Sequence, residues 1–341
     1  KSSPMKLISK TFNLILLIIS FCCIFPASIA PYLNYKFNSD SELYPSLDIN
    51  LNYLSIGFDF VHSNNNLSIE SNFSYHLYDG GKQPPNDFND SPGFGFIENN
   101  PGLSSNQFNF FFTSIKVKYN NNNISYYVGL DNPTWGLGLN KIILSDKAPP
   151  FFNVGYKWNI TDRLSYEHLY GKLNSLMEDT LHSTSYINDD SRHPQLDRNI
   201  MAHRINYLIT NNIELSIFEL IVYGIDREIE LYYLLPFVPF LPIQTYLGDL
   251  DNDLIGASID LDLNNNLNLY ANLLIDEWTP PYTFREKHKN WVLYSIGFDR
   301  TDFLIKESSL IIEYSWSDNR VYKHKFPIND YYSYGYPLGF W

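Results

Sequence analysis

Three places in this chain set an indole or a guanidinium group among acids and amides. Trp135 follows Asp131 and Asn132, Arg192 and His193 stand near Asp197 and Arg198, and Asp276, Glu277 and Trp278 are consecutive. A flat apolar ring meets the C–H side of a pyranose, while carboxylates and guanidinium groups hold its hydroxyls in pairs. The expected chemistry is non-covalent recognition of sugars, with Asp131, Trp135, Arg192, Arg198, Asp276, Glu277 and Trp278 as the binding residues. The plainer alternative for each is that indoles gather at membrane interfaces and loop charges are simply solvated.

His203 and Arg204 are neighbours, so on a strand they face opposite sides. The inward one is expected to join a structural network with Glu214 or Glu219, because an enclosed interior must satisfy its charges. Asp249, Asp251 and Asp253 repeat at spacing two, which resembles the start of a calcium loop. Leu254 stands where that loop needs glycine, and Asp260 is shorter than the usual Glu. Acids bonded to arginine or loop backbone are the favoured reading, with Ca2+ as the lesser alternative and no other cofactor expected. GxSxG, HExxH and GxxxxGK[ST] are all missing from the sequence, so no enzyme is expected. His168, His193 and His203 near carboxylates leave an outer-membrane hydrolase as a remote alternative. With 37 acidic against 24 basic residues, net charge -13, nucleic acid is an unsuitable partner.

The elements that carry these residues are strands. From Ile255 to Asp276, Ile255, Ala257, Ile259, Leu261 and Leu263 alternate with Gly256, Ser258, Asp260 and Asp262. After Asn264-Asn265-Asn266 the alternation resumes, broken only at Leu274. Each arm is about ten residues, the length of a tilted strand that crosses hydrocarbon. The same design recurs around the turns at Asn64–Asn66, Asn120–Asn123, Thr161–Arg163 and Thr210–Asn212, and these alternate with much longer loops. Short turns at one end and long loops at the other predict a transmembrane, antiparallel, up-and-down outer-membrane β-barrel. A soluble β-sandwich is the competing all-β architecture. Tyr (27) and Phe (24) are abundant enough to form two interfacial girdles. Ahead of the strands, Lys6 and Lys10, the apolar run Leu14–Phe25 and Ser28-Ile29-Ala30 read as a secretory signal peptide over residues 1–30, with the barrel over 31–341. Pro31–Leu47 reads as a lead-in with no clear period. Both cysteines, Cys22 and Cys23, fall inside the signal, so no disulfide is expected.

Several stretches together resemble the capsule assembly Wzi family. They are Trp135-Gly136-Leu137-Gly138 with Ile143-Leu144-Ser145 and Ala148-Pro149-Pro150-Phe151; His203-Arg204; Glu219, Tyr223, Gly224 and Arg227; Tyr233 to Gln244 with Gly248-Asp249-Leu250-Asp251-Asn252; and Glu313-Tyr314, Tyr322, His324 and Tyr334-Gly335-Tyr336-Pro337-Leu338-Gly339. The resemblance runs from about Tyr126 to Gly339. It implies an outer-membrane barrel with extra periplasmic helices that binds or organises capsular or exopolysaccharide at the cell surface. Outer-membrane lipid is then the other partner, and a monomer is expected. The chain ends at PLG where the family continues, so the barrel is expected to be incomplete at the C-terminus. A porin-like channel is the alternative function.

Overall fold

The computed structural model describes residues 27–38, 51–79, 107–182, 194–224, 227–264, 266–276, 278–282 and 290–340. The expected signal segment up to residue 26, Arg192 and Glu277 lie outside these residues. Two compact units divide the chain.

The first unit holds β1 (Ala27–Asn38), β2 (Leu51–Ser63), β3 (Leu67–Asp79) and β4 (Gln107–Asn121), each antiparallel to the next. Ile56, Phe73 and Phe111 project from one face and are exposed. The opposite face is mainly polar: Asn72 donates to Asp59 at 2.7 Å and to the Tyr32 hydroxyl at 2.9 Å, while Phe110 stacks on His76 there at 4.6 Å. The alternation read from the sequence therefore separates the two faces here. β1 corrects the expected lead-in: it is a strand paired with β2 in unbroken register, and it runs through Ala30, the expected cleavage point.

The second unit holds β5 (Ile124–Asp131), β6 (Phe151–Asn159), β7 (Leu164–Glu178), β8 (Gln195–Thr210), β9 (Ile213–Gly224), helix α1 (Phe240–Leu247), β10 (Asn252–Asn264), β11 (Leu267–Asp276), β12 (Trp291–Thr301) and β13 (Ser309–Ser317). These nine strands pair antiparallel in chain order. Side chains alternate across the sheet. Val154, Ile205, Ile217, Leu273 and Ile296 stand on one exposed face, and Ile205 lies opposite Ile217 in the register. Asn153, Asn206, Asn272 and Ser295 are buried on the other. In a membrane barrel the apolar exposed face is the outer one.

The inner face departs from the all-polar expectation. Toward the long-loop end it carries Phe218, Leu220, Val222, Leu254, Leu274 and Leu293, all buried in one core. Two long segments fold onto this patch, residues 132–150 between β5 and β6 and residues 318–340 after β13. They contribute Ile142, Ile143, Leu144, Tyr322, Tyr331 and Leu338 to the same core. Apolar side chains turn inward here because loops, rather than water, cover them. Leu274, the one break in the sequence alternation, belongs to this patch. We refer to the two segments together as the cap.

Candidate functional site

The Trp135–Gly138 run forms the centre of the cap. Trp135 exchanges backbone hydrogen bonds with Leu144 at 2.9 and 3.2 Å, which folds the segment back on itself. Gly136 and Gly138 take φ of +105° and +83°, a region that β-carbon-bearing residues rarely enter. The run is held to the strands by side chains. Asn272 on β11 accepts from the Leu137 N–H at 2.9 Å and donates to the Leu137 carbonyl at 3.1 Å. Glu313 on β13 accepts from the Leu139 N–H at 3.0 Å, the Asn140 N–H at 3.2 Å and the Tyr270 hydroxyl at 2.8 Å.

This arrangement corrects the expectation that Trp135 is a ligand platform. Its side chain is 2% exposed, and the Arg204 guanidinium covers its ring at 4.8 Å. Arg204 also bridges to Glu167 at 2.6 Å, and Glu167 accepts from the Tyr127 hydroxyl at 3.0 Å. Arg198 is likewise buried, at 2% exposure. It donates to the carbonyls of Asp330 (2.5 Å), Tyr332 (3.1 Å) and Pro327 (3.3 Å), tying the C-terminal half of the cap to β8. Asp276 is fully buried and accepts the Tyr322 N–H at 2.6 Å. Asp131 holds Asn153 at 2.6 Å. Trp278, half-buried, follows β11. The burial of Trp135, Arg198 and Asp276 takes them out of the set of side chains a ligand can reach, because segments remote in sequence fold over them.

Of His203 and Arg204, the inward one is Arg204, and it pairs with Glu167 rather than with Glu214 or Glu219. His203 points outward, in register with Glu219, and its Nε2 lies 3.1 Å from the Glu219 carboxylate. Glu219 also accepts the Phe240 and Leu241 N–H groups at 2.8 and 2.9 Å, so it caps the start of α1, whose own N-cap residue Pro239 supplies no side-chain bond. Glu214 lines a separate cavity at the short-turn end, of about 690 Å³, with Lys157, Arg163 and Asn206. Of the three spaced acids, Asp251 is bonded to Arg227 and to the Tyr233 hydroxyl (2.7 Å), and Asp249 lies 3.3 Å from Gln244. Among the described residues no three metal-ligating side chains come together. Arginine and tyrosine thus hold Asp251, and Gln244 neighbours Asp249.

An accessible polar site does exist at the long-loop end, on the outer face. A groove of about 620 Å³ opens between β7, β8 and the start of the β9–β10 connection. Tyr170, Lys172, Asp197, Asn199, Arg227 and Glu228 line it. Lys172 and Asp197 are half exposed and bridge at 2.8 Å. The Tyr170 hydroxyl donates to Asn199 at 2.9 Å, and Asn199 donates to the Arg227 carbonyl at 3.0 Å. An aromatic ring, an amide and both signs of charge thus surround one open space, a set suited to a hydroxyl-rich ring. Asp197 stands among the loop residues read from the sequence, but Tyr170, Lys172 and Arg227 were not read as binding residues. The pairing of Lys172 with Asn199 across β7 and β8 and the Asn199 bond to the Arg227 carbonyl bring them together.

No family model and no curated protein matches the chain. Among solved structures it is similar to Wzi, described as an outer-membrane protein involved in group 1 capsule assembly in Escherichia coli and a carbohydrate-binding β-barrel. The TM-score is 0.50 at 13% identity, covering 92% of this chain and 62% of that one. The chain thus spans less than two thirds of that protein's length. It also matches OccK11 (OpdR) of Pseudomonas aeruginosa, at TM-score 0.36 and 13% identity over 85% of this chain and 77% of that one. A third match is OccAB3 of Acinetobacter baumannii, at TM-score 0.35 and 12% identity over 86% and 66%. Together with the antiparallel strand order, the first likeness shows the fold: the chain has the all-β, up-and-down fold of an outer-membrane β-barrel protein.

Proposed function

We propose that the chain binds surface polysaccharide without catalysis, at the long-loop end of an outer-membrane barrel. The observation that carries the reading is the groove of Tyr170, Lys172, Asp197, Asn199 and Arg227. It is open, polar and preset by internal hydrogen bonds, and it lies where the outer face meets the long loops. The likeness to a carbohydrate-binding barrel supports the same reading. Lys172 and Arg227 also give an acidic protein two cations with which to hold an acidic sugar.

The test is retention of capsular or exopolysaccharide by cells that carry Tyr170→Ala, Lys172→Ala or the pair. The pair is expected to lower retention roughly ten-fold or more, at about 1 kcal/mol for each lost contact. Retention equal to the parent, with the variant present in the membrane at parental level, overturns the proposal.

A solute channel is the second reading. It is favoured by the 690 Å³ cavity at the short-turn end, lined by Lys157, Arg163, Asn206 and Glu214. The cap opposes it by covering the inner face of the second unit at the other end. Planar-bilayer recording separates the two: steady open steps from the parent protein favour the channel, and their absence favours the binder.

A further inference from the structure

The β9–β10 connection has a composition unlike the other long loops. From Leu231 to Leu247 it reads LYYLLPFVPFLPIQTYL, without one charged residue, while Glu228, Glu230, Asp249 and Asp251 stand at its ends. One side of it packs on the outer face of β7–β10. Tyr233, Phe240 and Ile243 are buried with Met201, Ile221 and Tyr223, and the rings of Phe240 and His203 meet at 4.3 Å, tilted by 35°. Further along the sheet, Phe237 meets Tyr166 at 4.2 Å and Trp158 at 6.2 Å. The other side faces away from the protein and is apolar: Leu231 is 71% exposed, Tyr246 76%, and Tyr232, Leu235 and Phe237 about half.

The backbone is suited to a dry setting. Pro236, Pro239 and Pro242 carry no N–H to satisfy. The N–H groups of Tyr233 and Leu235 are taken by backbone carbonyls, that of Phe237 by the Tyr166 hydroxyl, and those of Phe240 and Leu241 by Glu219. Hydrocarbon offers a backbone N–H no partner, so a segment lying against it must have its donors met within the protein, as these five are. The exposed side also continues the outer surface that Val154, Ile205 and Ile217 present, which in this fold faces lipid.

We infer that Leu231–Leu247 is an in-membrane excursion: its free side contacts lipid acyl chains, and its sheet side keeps lipid away from the His203–Glu219 pair. A water-exposed loop has no use for such a side, whereas α1 lying along the barrel wall gives the outward Glu219 carboxylate its two N–H partners.

Spin labels test this. Leu235→Cys and Tyr246→Cys are made in the chain carrying Cys22→Ser and Cys23→Ser, and the labelled protein is placed in phosphatidylcholine–phosphatidylglycerol vesicles. Relaxation by oxygen, which concentrates in hydrocarbon, is compared with relaxation by a water-soluble nickel chelate. Ile217→Cys is the lipid reference and Asn319→Cys the water reference. Labels at 235 and 246 are expected to match Ile217→Cys, with oxygen accessibility several-fold above nickel. Accessibility matching Asn319→Cys overturns the inference. Exclusion of both reagents also overturns it, because a protein then covers this face.

Discussion

Replacing Arg198 by Met tests whether this arginine holds the cap or holds a ligand. In the native protein its guanidinium donates to the Asp330 carbonyl at 2.5 Å and the Tyr332 carbonyl at 3.1 Å. Weaker bonds run to Pro327 at 3.3 Å and Ser175 at 3.5 Å. Methionine fills similar space but donates nothing, so these carbonyls stay buried without that partner. Each of the two short, charge-assisted bonds is worth about 1.5–3 kcal/mol, so opening of the cap should become easier by about 3–6 kcal/mol. That corresponds to a rise of roughly a hundred-fold to tens of thousands-fold in the opened population. Residue-resolved hydrogen exchange reads it directly. The Tyr331 N–H bonds to the Tyr322 carbonyl at 2.8 Å and the Leu338 N–H to the Tyr331 carbonyl at 3.0 Å, and both amides should lose protection by that factor. Amides of β12 should hold, because their partners on β11 are untouched. Arg198→Lys keeps the charge without the planar fork and should fall between the two. Unchanged protection at Tyr331 and Leu338 in a folded Arg198→Met protein refutes the reasoning, and lost polysaccharide retention with an intact cap restores Arg198 as a binding residue.

Two further outcomes follow from the same geometry. In the cap, burial holds the Asp330 carboxyl above its ordinary value of 3.8, against the lowering effects of the His324 N–H and Arg198. A carboxyl that keeps its proton more firmly when folded contributes its full stability below that ordinary value and loses it as pH rises through the folded one. Cap protection, corrected for intrinsic exchange, should therefore fall as pH rises above about 4, and Asp330→Asn, which keeps an oxygen for the His324 N–H, should flatten that slope; an equal slope in the variant counts against it. Gly138→Ala places a methyl group against the Glu313 carboxylate and the Tyr270 ring at a φ of +83°. The strain of about 1–3 kcal/mol should loosen the Glu313 hold and raise conductance in planar bilayers above that of the parent.

The strand plan was legible because two local signals agree. Alternation marks which face each side chain takes, and Asn-rich turns such as Asn64–Asn66 and Thr210–Asn212 mark where strands reverse. β1 was not legible: ASIAPYLNYKFN includes a proline and has weak alternation, and it becomes a strand through pairing with β2. Helix α1 was hidden by its prolines, although Pro242 falls in the first turn, where an N–H has no helical partner anyway. The candidate residues failed for a different reason. Trp135, Arg198 and Asp276 are of the right types, but whether such a side chain meets solvent depends on residues 318–340 folding back over it, and nothing near Trp135 encodes that. Leu274 carried a usable hint: one leucine on the polar side of an otherwise regular strand marked the patch on which the cap rests.

Glu219 has a consequence for biogenesis. β9 enters the bilayer with an acid on its outward face, and a naked carboxylate in hydrocarbon costs several kcal/mol. The N–H groups that accompany it, those of Phe240 and Leu241, belong to a stretch synthesised after β9 and before β10. Delivery of the β8–β9 hairpin alone would leave the acid with His203 beside it and without those two N–H groups. Entry of β8, β9, the intervening helix and β10 together would keep all three partners on the acid at the moment of entry.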